Sequence, residues 1–140
     1  MTPVSLPRWV RRACPALSAC HVLGTRDGIA HVVAGETAAG PVVLKRYRPA
    51  DGADAATRMR RVRRAVSADG ATCLAVPAVL AFDAASGVMT QALAPGRPLL
   101  PMLDGPDRRR GLRAAAEALA ALHRSHARLG PVTTRADHVA

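Results

Sequence analysis

Three short apolar runs, separated by two tight turns, follow one another between residues 20 and 48. The first turn contains Asp27-Gly28, a dipeptide that favours a two-residue hairpin loop. The second turn spans residues 37–40 and leads directly into PVVLKRYR. Because consecutive strands joined by such tight turns pair antiparallel, the segment predicts a three-stranded meander.

An amphipathic basic helix is predicted after the meander. Pro49, Asp51 and Gly52 end the third strand, Asp54 is the predicted N-cap of the helix, and Gly70 is its predicted stop. The apolar positions recur at the spacing of one helix face. They are Ala55, Met59, Val62 and Val66, with Arg60, Arg61 and Arg64 on the other side. The helix is therefore expected to pack one face on the core and to expose its arginines.

Two further strands and a long helix complete the predicted elements. VPAVLAFD and GVMTQALAPG flank a turn at residues 84–87 and predict a hairpin, followed by a Pro- and Gly-rich connector through Pro106. A long helix is expected from about Asp107 to Leu129, with Gly130-Pro131 as its terminator. Its predicted apolar face consists of Leu112, Ala115, Leu119, Leu122 and His126.

Length and composition limit the classes of protein that the sequence fits. At 140 residues and 14.6 kDa the chain is one domain, or half of a larger one. Its three cysteines lack the dense pattern of a secreted disulfide scaffold and form no recognisable zinc motif, so we expect free thiols in a reducing cytoplasm. No apolar run approaches the roughly 20 residues of a membrane span, so no membrane partner is expected.

Lys45 is the only lysine of the chain, since every other strong cation is an arginine. It lies in the third predicted strand, where side chains alternate between the two faces, so Val43 and Lys45 point to the same face. The bland interpretation is a cation at the edge of a surface strand. The functional one is a position that needs a compact ammonium instead of a planar guanidinium.

Three stretches of the sequence resemble the front half of the aminoglycoside phosphotransferase family, which shares the protein-kinase-like fold. They are VVLKRY, VPAVLAFDAASGVMTQALAPGRPL and EALAALH. The resemblance implies an α+β fold: a kinase-like N-lobe with a five-stranded antiparallel sheet and one inserted helix, followed by a long helix of an incomplete C-lobe. The implied domains are an N-terminal extension over residues 1–19, the N-lobe over residues 20–97, and a connector with the first C-lobe helix over residues 98–140.

The same resemblance implies a nucleotide site, with ATP as the nucleotide. Lys45 takes the role of the kinase-like strand-three lysine that reaches the phosphates, and Val43 covers the adenine. The hairpin turn around Gly28 corresponds to the loop that covers the phosphates, where glycine permits close backbone approach. The connector after the fifth strand is implied to bind the adenine edge through the backbone at Ala92 and Ala94.

Two departures from the family pattern limit the expected activity. Residues 54–69 contain no glutamate that could hold Lys45, as the helix glutamate of kinase-like sites does. The catalytic loop and the later metal-binding aspartate are not matched, and Asp137-His138 has the wrong order for that loop. We therefore expect a chain truncated before its catalytic centre, without catalytic or metal-binding residues. It would bind nucleotide weakly at most; Mg²⁺ and an unidentified small-molecule acceptor would belong to a complete family member.

A small basic binding or interaction module is the alternative interpretation. The net charge is +10, and the run RMRRVRR places five arginines on one helix, which could contact phosphates of nucleic acid. Only three aromatic residues are available for stacking, and no nucleic-acid-binding motif is present. Specific nucleic-acid binding is therefore not expected, although the charge is compatible with weak non-specific binding at low salt.

Overall fold

The computed structural model describes residues 6–26, 29–70, 73–125 and 127. Its elements are α1 (Arg8–Ala13), β1 (Ser18–Arg26), β2 (Ile29–Thr37), β3 (Gly40–Arg46), α2 (Pro49–Ala68), β4 (Val79–Asp83), β5 (Val88–Ala92), α3 (Leu99–Leu103) and α4 (Arg108–Arg124). The strands form one five-stranded antiparallel sheet with α2 inserted between β3 and β4. This confirms the predicted α+β fold of a kinase-like N-lobe. No helix of the described ranges is both long and apolar enough to cross a membrane.

The sheet order is β1-β2-β3-β5-β4. The first three strands form the predicted meander, and the hairpin β4-β5 joins it through β5, so that β3 pairs with β2 on one side and with β5 on the other. Directly opposed residues of antiparallel strands share a face of the sheet. The register therefore fixes which side chains lie beside those of β3.

One face of the sheet carries the main hydrophobic cluster. It is formed by Val10, Val33, Val42, Leu44 and Val88, which are all buried, with Leu44 fully enclosed. Val10 belongs to α1, and the chain from Leu6 to Leu17 contributes further apolar contacts to the cluster. Residues 6–17 of the predicted N-terminal extension thus cover this face of the sheet and belong to its core.

The other face of the sheet is covered by α2, which contacts β4 and β5. Gly52 brings the backbone of α2 against the ring of Phe82, since a Cβ at this position would lie 2.7 Å from the ring. Gly52, Ala56 and Val66 are the buried residues of α2. Of the predicted stripe, Val66 is buried and Ala55, Met59 and Val62 are half-buried. The predicted arginines of the outer side are exposed, which confirms the amphipathic pattern.

The predicted start of α2 is wrong. The helix begins at Pro49, with Arg48 as N-cap, and Asp54 lies inside the helix, where its carboxylate pairs with Arg58 one turn later. Proline fits the first helical position because its fixed φ suits the helix and its missing N–H would have no intrahelical partner there. Asp54 resembles a cap in the sequence because Asp is a preferred N-cap residue, but it is the sixth residue of α2 and lies beyond the first turn.

The long helix α4 is shorter than predicted. Two short helices were not predicted from the sequence. α4 ends at Arg124, with Ser125 as its C-cap; the predicted His126 and the terminator Gly130-Pro131 lie outside the described residues. The helices α1 and α3 have six and five residues, too few for a helical period to show in the sequence. Leu112 and Leu119 on α4 are 47% and 53% exposed, so part of the predicted apolar face is open.

Gly87, just before β5, contacts the chain just after β3, and substitution of this glycine tests the contact. Its φ is +67°, its carbonyl oxygen accepts a hydrogen bond from the Tyr47 N–H at 2.9 Å, and an added Cβ would collide with the carbonyl oxygen of Tyr47. We expect Gly87→Ala to lower the free energy of unfolding by about 3 kcal/mol, because the backbone strain and the collision add. Urea denaturation measures the loss.

Gly70→Ala is the matched control for that substitution. Gly70 has a φ of +64°, and nothing in the described part of the chain lies within 4 Å of an added Cβ. Only the left-handed backbone angle is penalised there, which corresponds to a loss of about 1 kcal/mol. Equal losses for the two variants would contradict the close contact between Gly87 and Tyr47.

Candidate functional site

The predicted site is built around Lys45 in the central strand β3. Lys45 lies directly between Val32 of β2 and Met89 of β5, and its side chain is half-buried. Val43, two residues earlier on β3, is buried and points to the same face by strand alternation. The structure therefore brings the predicted phosphate-binding and adenine-covering residues to one face of the sheet, the face that α2 covers at β4 and β5.

Lys45 has no acidic partner among the residues that the structure describes. Two ion pairs occur in the described ranges, Arg58 with Asp54 and Arg97 with Asp107, and neither involves Lys45. Burial among apolar neighbours lowers the pKa of the Lys45 ammonium below its ordinary value, because partial desolvation penalises the charged form. An anionic ligand close to Nζ would relieve this penalty, and a phosphate group has the charge and acceptor oxygens to do so.

A residue outside the predicted set, Gln91, also lies on this face. It is directly opposite Val43 on β5, and it is only 5% exposed. Its Oε1 is buried and has no hydrogen-bond partner among the described residues. The sequence carries a weak signal for it, because Gln91 follows Met89 by two residues in the predicted strand and so shares a face with an apolar residue, where a polar side chain is unusual.

The connector after β5 presents its two predicted backbone sites differently. The N–H of Ala92 donates to the carbonyl oxygen of Ala78 at 2.9 Å, and the N–H of Leu93 donates to Pro41 at 3.1 Å. Both groups are thus occupied by the sheet. Ala94 is exposed, and within the described ranges its N–H has no backbone acceptor. Of the two predicted positions, only Ala94 has an N–H available to a ligand.

The predicted loop over the phosphates is described only in part. β1 and β2 pair up to Arg26 and Ile29, which confirms the predicted hairpin. Gly28, the predicted phosphate contact, lies outside the described residues, as does Asp27.

An open groove of about 430 Å³ lies between the connector, α3 and α4. Gly96 and Arg97 of the connector line one side, and Leu99 and Met102 of α3 line another. Gly111 allows α4 to approach α3, since an added Cβ would lie 3.0 Å from Leu99. Lys45, Val43, Ala92 and Ala94 do not line this groove, so it is separate from the predicted contacts.

The burial of Lys45 has a consequence for stability. Below its lowered folded-state pKa, Lys45 is charged in both the folded and the unfolded chain, and burial penalises the folded one. Between that pKa and the higher value of the unfolded chain, the unfolded state binds more protons, so stability rises with pH. Lys45→Met is expected to raise the free energy of unfolding at neutral pH, and this gain should shrink as the pH approaches the ordinary pKa of lysine.

Denaturation of the variant and the wild type at a series of pH values measures this difference, with Arg46→Met as the control. Arg46 is the next residue of β3 and is exposed, so its replacement should change stability by no more than about 0.5 kcal/mol. A Lys45→Met variant that is less stable than the wild type at neutral pH would show that the ammonium is not penalised by burial.

The comparisons with known proteins agree with the geometry of the sheet. Residues 25–140 match the family described as the phosphotransferase enzyme family, APH. No curated protein and no solved structure matches the chain significantly. The match covers well over half of the chain and includes β2 to β5, α2 and the predicted site around Lys45. The chain belongs to the phosphotransferase enzyme family.

Proposed function

We propose that this chain binds ATP through the face of the sheet that carries Lys45. In the proposed complex the Lys45 ammonium binds the phosphates, Val43 packs on the base, and the Ala94 N–H and Ala92 carbonyl group meet the base edge. Gly28 belongs to the loop proposed to cover the phosphates. A complete relative with these features transfers the γ-phosphate of ATP to the hydroxyl group of a small molecule. We propose the same reaction class for a complete protein containing this chain.

The observation that carries the proposal is the half-buried ammonium of Lys45, which forms no ion pair within the described residues. A partly desolvated cation is unfavourable unless an anion or a set of acceptors compensates it. The two aspartates of the described ion pairs are bound to arginines elsewhere, so they do not provide this compensation. A triphosphate would supply it, and the apolar side chain of Val43 beside the lysine suits the base of the same ligand.

For the 140 residues alone we propose weak nucleotide binding without phosphoryl transfer. The described residues contain no group of three or more His, Cys, Asp or Glu side chains that could hold a metal ion. The proposal places the protein in the cytoplasm, where ATP is available and where the three free thiols would stay reduced.

Calorimetry with ATP tests the lysine directly. We expect the wild-type chain to bind ATP at millimolar concentration and Lys45→Ala to bind at least about tenfold more weakly, since a charge-assisted contact contributes about 1.5–3 kcal/mol. Arg46→Ala is the matched control, because it removes an exposed cation from the neighbouring position of the same strand. Equal affinities of the wild type and Lys45→Ala, or no binding by the wild type, would contradict the proposal.

A second candidate function, non-specific binding of polyanions, is favoured by the outer side of α2. Its five arginines are all exposed. Arg58 pairs with Asp54, and Arg63 donates to the carbonyl oxygen of Val76 at 2.8 Å, but the other three have no ion pair in the described ranges. They are Arg60, Arg61 and Arg64. Three unpaired guanidinium groups on one helix form a basic surface that phosphates can approach without crossing the core.

A salt series with mixed-sequence DNA separates this candidate from the first. If α2 binds DNA, the affinity should fall steeply with salt, and Arg60→Gln with Arg61→Gln should reduce the slope by about two contacts. Lys45→Ala should leave DNA binding unchanged, because Lys45 lies in the sheet and not on the exposed side of α2. No binding at low salt would remove the candidate.

A further inference from the structure

Gln91 is a buried polar side chain whose carboxamide oxygen is left unsatisfied by the described residues. It is 5% exposed, and its Oε1 has no hydrogen-bond partner in the described part of the chain. Trp9 Nε1 is also buried without a partner in the described ranges, whereas the buried hydroxyl of Ser125 donates to the carbonyl oxygen of Leu122 at 2.7 Å. A buried acceptor without a donor costs about 1–3 kcal/mol, so a fold without a use for it would gain stability from an apolar side chain there.

The position of Gln91 relates this acceptor to the proposed nucleotide. Gln91 lies directly opposite Val43, the residue proposed to pack on the base, and both side chains belong to one face of the sheet. Lys45 lies on the same face, two residues along β3, which corresponds to about 7 Å. Gln91 also immediately precedes Ala92, the last residue of β5, so its side chain lies at the base end of the proposed ligand.

The chemistry of a carboxamide limits what the missing partner can be. Gln offers an acceptor and a donor on adjacent atoms, and this pair matches the edge of adenine, where an exocyclic amino group adjoins a ring nitrogen. The amino group would supply the donor that Oε1 lacks. Methionine and leucine, which fit a buried position of this size, would make no such contact.

We propose that Gln91 is a specificity-determining residue that binds the edge of the adenine base, with its Oε1 accepting a hydrogen bond from the exocyclic amino group. This inference rests on the proposed binding of ATP and adds a contact that selects the base. The contact is independent of the phosphates, so loss of the Gln91 carboxamide should weaken binding of adenine nucleotides without affecting a ligand that has no base.

Binding of three ligands to wild type and Gln91→Met tests the proposal by calorimetry: ATP, the triphosphate of purine riboside, which lacks the amino group, and inorganic tripolyphosphate. We expect Gln91→Met to bind ATP about three- to tenfold more weakly than the wild type and to bind tripolyphosphate equally well. The wild type should prefer ATP to purine riboside triphosphate more strongly than the variant does, because the variant keeps only the proposed Ala92 carbonyl as an acceptor for the amino group.

Thr90→Val is the control for the loss of a polar group from β5. Thr90 lies opposite Leu44 and points to the other face of the sheet, so its replacement should not change the affinity for ATP. Thermal denaturation distinguishes the proposed role of Gln91 from a purely structural one, because the two predict opposite changes in Tm. Removal of an unsatisfied acceptor should raise the Tm of Gln91→Met, whereas a Gln91 that holds the fold together would lower it.

The outcomes separate this inference from the proposed function. If ATP binding depends on Lys45 but is equal in wild type and Gln91→Met, Gln91 does not contact the base and only this inference is overturned. If the wild type binds neither ATP nor tripolyphosphate, both are overturned. Comparison of ATP with purine riboside triphosphate on the wild type requires no variant, and equal affinities there would also overturn the contact.

Discussion

The alternation of side chains along β3 determines what each face of the sheet can do. Val42 and Leu44 point into the cluster that α1 covers, while Val43 and Lys45 point to the opposite face. Because β3 is paired on both sides, a shift of its register by one residue would bury the ammonium in the apolar cluster and expose the leucine. The large desolvation penalty of that alternative helps to keep the register in place.

The same arrangement leaves the charge of the Lys45 ammonium only partly compensated. Lys45 is held by the backbone pairing of β2 and β5 and by no described carboxylate. Gln91 lies on the same face of β5, and its Oε1 has no partner among the described residues. A sheet face on which a cation and an acceptor have no partners in the described ranges suits a ligand that has an anionic end and a donor-bearing end.

Much of the fold could be predicted from local signals, because turn dipeptides and strand alternation depend on neighbouring residues. The hairpins and the inserted helix were predicted correctly for this reason, whereas the family was predicted from the resemblance of three stretches of the sequence. The role of Val10 in the core and the start of α2 at Pro49 were not, since burial by a distant segment and the choice between two possible caps depend on tertiary packing. Lys45 was found because the chain has no other lysine, whereas the unsatisfied state of Gln91 becomes visible only when its neighbours are known.

The titration of Lys45 itself tests the central claim most directly. Since the chain has one lysine, isotope labelling of lysine gives a single side-chain signal, which NMR can follow with pH in the absence and presence of ATP. We expect a pKa below the ordinary value of lysine in the free protein, because of burial, and a higher pKa with ATP, because the phosphates stabilise the ammonium. An ordinary pKa that ATP does not change would contradict the account.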